Sequence, residues 1–245
     1  MSLLHKWWYL PKPIKMQEIT PYELITQVLE GKSSMKQDVY QNTIAVFKQF
    51  KEEIKKVADQ LNKDIAPKDQ RLIIEFTEKG EFEAELKFAG DVLIFYMHTN
   101  VFKFDEEHGV SKTAYSQEDE RRRYCGIISV YNFLSDSFKY NRVNDLGYMI
   151  GRVFVNRENH YMVEGKRQLG FLYDDFANAV MEKEAIRAII ESAIIYTLEF
   201  DLLTPPYDVV KEVSVMQIQE ATNYAMLKTA KRMGFSFKVD HDSIK

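Results

Sequence analysis

Period-two alternation fills the middle of this chain, and helical periodicity is confined to its two sides. Residues 71–88, 91–104, 124–133 and 148–166 read as short strands, with a polar connection at 109–123. Residues 20–62 and 174–233 repeat apolar side chains every three or four positions. This order predicts an α+β fold: an antiparallel sheet of about six strands, preceded by two helices and followed by two long helices packed on one face. No linker-like segment divides residues 17–245, which are expected to form one domain behind an arm, residues 1–16.

Two hairpins carry the sheet prediction. In the second, Tyr148–Asn156 and His160–Lys166 flank the loop Arg157-Glu158-Asn159. A loop of that length pairs Asn156 with His160, Phe154 with Met162, Arg152 with Glu164 and Ile150 with Lys166. Side chains alternate across a strand. One face then holds Gly151, Val153, Val155, Tyr161, Val163 and Gly165, which suits a core. The other gathers Ile150, Arg152, Phe154, Asn156, His160, Met162, Glu164 and Lys166. In the first hairpin, a loop at Glu78-Lys79-Gly80 pairs Phe76 with Phe82 and Ile74 with Ala84. That register puts Leu72, Ile74, Phe76, Phe82, Ala84, Leu86 and Phe88 on one face. Asp91–Phe104 reads as a central strand, and Tyr124–Phe133 as another.

The flanking helices have start and stop signals. Thr20, Pro21 and Glu23 form a capping box with proline in the first turn, and Gly31 is the expected stop. Gly31-Lys32-Ser33 resembles the tail of a phosphate loop, but Thr26 stands where that pattern needs glycine. Lys36–Asn62 is an amphipathic helix. A third helix runs from a cap at Asp174 or Asp175 to about Leu203. A fourth runs from Tyr207 to Met233, and Phe235–Val239 adds a short strand. The last two helices offer a dimer surface.

Composition narrows the function classes. Net charge is −4 over 245 residues, so no global field draws the protein to nucleic acid or anionic membrane. Locally, Lys139–Gly170 holds six Lys or Arg against three acids, an excess of +3 (6 − 3). The arm sets Trp7, Trp8 and Tyr9 among Lys6, Lys12 and Lys15. That is a mixture suited to packing, or to stacking on single-stranded nucleic acid. The lone Cys125 rules out an internal disulfide and reads as a small buried hydrophobe. No run is apolar enough to span a bilayer and no signal peptide is apparent, so a cytoplasmic location is expected.

The polar hairpin face is the candidate site. Arg152, Asn156 and Lys166 would hold a small anionic ligand, and His160 and Glu164 are the candidate catalytic pair. The favoured expectation is a non-enzymatic module binding a ligand or partner protein. One alternative is an enzyme on a phosphate- or carboxylate-bearing substrate, using Arg152, His160, Glu164 and Lys166. Another is a nucleic-acid binder through residues 139–170. Glu85-Leu86-Lys87 and Glu164-Gly165-Lys166 match the E-x-K element of restriction-type nucleases, a pattern short enough to arise by chance. Asp105–His108 and Asp240-His241-Asp242 hold potential metal ligands without a ligand spacing. Neither a cofactor nor a metal is expected.

Overall fold

A computed structural model describes residues 19–204 and 206–216. Helix α1, Pro21–Val28, opens with the expected capping box: the Thr20 hydroxyl accepts from Glu23 N–H and the Glu23 carboxylate accepts from Thr20 N–H. Gly31 does not stop it. A π-helical turn, Leu29–Ser33, carries the backbone into α2, Ser34–Ile65. Gly31 keeps a negative φ, so the left-handed stop never forms.

The sheet runs β1-β2-β3-β5-β6-β7, with β4 paired beside β3 on the same edge of β5. The strands are β1 Glu75–Glu78, β2 Glu83–Phe88, β3 Asp91–Met97, β4 Phe102–Lys103, β5 Tyr124–Leu134, β6 Tyr148–Asn156 and β7 Tyr161–Gly165. Every pairing is antiparallel. Short helices fill the connections: α3 Ala114–Glu118, α4 Ser135–Lys139, α5 Gln168–Phe171 and, after the long α6 Lys183–Leu198, α7 Tyr207–Val210.

α2 and α6 cover one face of the sheet. Val46, Phe47, Phe50, Ile54 and Val57 of α2 and Ile186, Ile189, Ile190 and Ala193 of α6 share a core with Leu86, Phe95, Ile128, Val153 and Val163. Each fully buried side chain of this size contributes roughly 1.5–3 kcal/mol. Gly126 lets α2 approach β5, since a Cβ there would overlap the Thr43 side chain.

The first hairpin keeps its faces but changes its register. Phe76 pairs with Leu86, four residues beyond the expected Phe82, and Lys79 N–H donates to Glu83 O at 3.1 Å. An even shift leaves each side chain on its own face. The turn therefore lies at Gly80–Phe82, where Lys51 holds Gly80 O at 2.5 Å and Glu78 at 2.8 Å. Leu72 and Ile73 lie outside the strand and are exposed.

Three further expectations change. Asp91–Phe104 is not one strand: the chain leaves β5 after His98 N–H bonds Ile127 O, turns through Asn100 N–H to His98 Nδ1, and rejoins β5 as β4. Ser135–Asn144, whose polar composition reads as a turn or edge segment, forms α4 and a turn. The third helix begins at Lys183, not at 174 or 175. Residues 173–181 instead line the outer edge of β7, where Tyr161 N–H donates to Ala179 O at 3.1 Å and Val163 N–H to Tyr173 O at 2.7 Å. Those edge N–H groups need partners, and this demand outweighs the helical spacing of Phe176 and Val180. The arm, most of the fourth helix and the 235–239 strand lie outside the described residues. Among the described residues no helix is long and apolar enough to cross a membrane.

Candidate functional site

The second hairpin takes the expected register: Arg152 opposes Glu164, Phe154 opposes Met162, and Asn156 N–H donates to His160 O at 3.0 Å. Asn159 closes the loop at φ 63, a left-handed conformation that asparagine tolerates. Asn42 of α2 grips the tip through Asn156 O at 2.7 Å and Asn159 Oδ1 at 2.9 Å. One residue changes face. β5 pairs Val130 with Gly151 and Tyr131 with Met149, so Ile150 is an extra residue. This β-bulge turns Ile150 off the polar face into the core, where it is 1% exposed.

The sheet face opposite the helices is covered in part: at one end Phe138 of α4 meets Phe133 with ring centroids 5.4 Å apart, and at the other lies the segment before β5. The excursion between β4 and β5, residues 104–123, folds over it and forms a small core from Val110, Cys125, Ile127, Phe154 and Phe176. Polar side chains hold the excursion in shape. Asp105 Oδ1 accepts from the N–H groups of Glu107 and His108, each at 2.9 Å, and His108 Nδ1 accepts from Val110 N–H at 3.2 Å. That bond leaves the imidazole proton on Nε2. Arg121, Arg122 and Arg123 pair with Asp119, Glu118 and Glu120 respectively.

Tyr115 ties the excursion to the hairpin. Its ring stacks on His160 with centroids 4.2 Å apart, and the Arg122 guanidinium lies 4.3 Å from its centre. Its hydroxyl donates to Glu158 at 2.9 Å and accepts from Asn156 Nδ2 at 2.9 Å. Burial pushes the phenol pKa up to about 12. Asn156 is wholly buried, and its Oδ1 accepts from Glu158 N–H and His160 N–H at 2.9 and 3.0 Å. His160 Nδ1 meets Phe176 O at 3.1 Å.

Beside this clasp lies a half-open recess of about 230 Å³. Phe102, Phe104, His108, Ile127 and Phe154 supply its apolar and aromatic wall, with Arg152, Glu164 and Asp105 around them. Phe104 stacks on His108 at 4.4 Å and tilts against Phe154 at 4.9 Å. Arg152 pairs with Glu164 and lies 5.2 Å from the Phe154 ring centre. Lys103 also borders the recess, but its ammonium lies 5.8 Å from the Tyr124 ring, which packs with Met35 and Val39 of α2. The Cys125 thiol at the floor is 1% exposed, and burial pushes its pKa up.

The predicted site residues thus divide. Arg152 and Glu164 meet in the recess. Asn156 and His160 belong to the Tyr115 clasp, and Lys166 is exposed near the far end of β7, where its N–H donates to Ile150 O. Phe104 and Tyr115 were missed by sequence reasoning, and His108 was weighed only as a potential metal ligand. Their segment has no period, and the only signal was the acidic turn at Asp105, whose side chain serves as a cap. In the E-x-K copies, Glu85 pairs with Lys79, Lys87 with Glu75, and Glu164 with Arg152. Among the described residues, no group of three His, Cys, Asp or Glu side chains could hold a metal ion. Asp240-His241-Asp242 lies outside them. Compared with known proteins, the chain matches no family model, no curated protein and no solved structure.

Proposed function

We propose that this chain is a non-enzymatic binding module whose recess on the open sheet face receives a small ligand. The observation that carries the reading is the convergence of Phe102, Phe104, His108 and Phe154 with the Arg152–Glu164 pair around one cavity. Ligand sites pair an apolar, aromatic lining with a few polar groups that set orientation. The acid–base alternative has less support. It needs His160 beside the reacting group, and that imidazole is stacked on Tyr115 and engaged with Phe176 O.

Ligand-observed NMR against a mixed set of small aromatic and aliphatic compounds tests the reading. Binders are expected, and their signals should vanish with Phe104→Ala but persist with Lys55→Ala on the exposed side of α2. A set without binders, or binders indifferent to Phe104, defeats it.

A further inference from the structure

We infer that the ligand of this recess is a small, flat, uncharged ring bearing an amide-like edge, with a hydrogen-bond donor beside an acceptor. The inference rests on the binding reading above and adds the ligand's chemical class. The wall selects a ring. Phe104 meets the His108 and Phe154 rings at centroid distances of 4.4 and 4.9 Å, and an aromatic lining of this kind favours offset or edge-to-face ring partners. The volume selects a small one: about 230 Å³ lies below the roughly 300–1,000 Å³ of drug-sized sites.

The charges select a neutral edge. Arg152 and Glu164 sit directly opposite on β6 and β7, so a guanidinium donor lies beside a carboxylate acceptor. A ligand carboxylate would take Arg152 from Glu164 and leave two acids, Glu164 and Asp105, bordering the same recess. The Lys103 ammonium offsets them only in part, since it also lies 4.0 Å from Glu120 and 5.8 Å from the Tyr124 ring. A ligand cation would compete with Arg152 for both Glu164 and the Phe154 ring. A carboxamide or lactam edge donates to Glu164 and accepts from Arg152 without displacing either charge. The pair is half-exposed, at 42% and 49% for the two side chains, so its geometry adjusts at little cost.

Four probes separate the possibilities by NMR titration of the full chain. Benzamide, benzoate and benzamidine share a ring and a flat head group but are neutral, anionic and cationic, and acetamide has the head without the ring. Benzamide should bind tightest, with benzoate and acetamide each weaker by roughly tenfold, about the worth of one hydrogen bond or one ring contact. Glu164→Gln should narrow the gap between benzamide and benzoate, and Arg152→Gln should weaken benzamide. Both variants replace half-exposed side chains that the fold tolerates. Benzoate or benzamidine binding tightest would overturn the neutral class and leave the binding reading standing. Acetamide matching benzamide would overturn the ring. Failure of all four at millimolar concentration would overturn the inference, while loss of the binding reading needs the broader compound set to fail as well.

Discussion

The Tyr115 ring lies 16° from parallel with the His160 imidazole, their centroids 4.2 Å apart, across a sequence separation of 45 residues (160 − 115). This contact joins a segment without regular period to a well-ordered hairpin. Tyr115→Phe keeps the stack and removes the hydroxyl that bridges Asn156 and Glu158. It should cost about 1 kcal/mol, the usual net worth of such a bond. Tyr115→Ala also removes the ring from the small core of Phe176 and Phe154 and should cost about 3 kcal/mol. Urea unfolding measures both, and equal losses would show that the stack adds nothing.

How much of this was legible in the sequence depends on where periodicity reaches. The β6–β7 register followed from a three-residue loop and a strict alternation, so the Arg152–Glu164 pair could be placed. Ile150 could not, because a bulge depends on its partner strand, β5, which pairs Val130 and Tyr131 around it. The first hairpin shows the same limit: alternation settles the faces but not which even register forms. Phe104 and His108 became site residues only through tertiary folding of the excursion, held by caps at Asp105, His108 and Thr113. The edge segment 173–181 carried apolar residues at helical spacing, and the unpaired N–H groups of β7 claimed it instead.

Gly126 and Thr43 form a second long-range contact with a measurable consequence. A methyl at Gly126 would overlap Thr43 Oγ1, Cγ2 and Cβ, and all of these lie under α2. Gly126→Ala should destabilise by about 3 kcal/mol through overpacking. Thr43→Ala clears part of that space, so the double variant should lose less than the sum of the two singles. A double-mutant cycle in urea gives the coupling directly. Simple additivity would show that the backbone moves aside and that the contact does not limit α2.

Acid stability should depend on Asp119. Hydrogen bonding from Arg121, chiefly its side chain, holds this carboxyl at about 2, below its ordinary 3.8, with Arg157 adding a nearby charge. A lowered folded pKa contributes stability above the ordinary value, and that stability is lost as pH falls through 3.8 toward about 2. The group is partly solvated, so screening leaves a contribution of roughly 1 kcal/mol or less. Asp119→Asn should therefore lose stability near neutral pH and show a shallower decline in acid. An unfolding midpoint that falls equally in both proteins over that window would exclude Asp119 as a source of acid sensitivity.

Cys125 offers a probe of the recess floor. Its side chain sits between Val110, Ile127, Phe154 and Phe176, is 1% exposed, and has its thiol pKa pushed up by burial. The thiolate is the reactive form, so the native protein should resist an aromatic disulfide reagent at neutral pH. Modification then requires the excursion to lift from the sheet, an opening that costs less than global unfolding when the segment moves as its own unit. Tyr115→Ala releases the clasp and should speed modification by up to the factor set by its lost stability, while Gly126→Ala, which acts on the opposite face, should change it less. Equal acceleration in the two variants would mean that Cys125 is reached only by global unfolding, and that the excursion and the sheet open together.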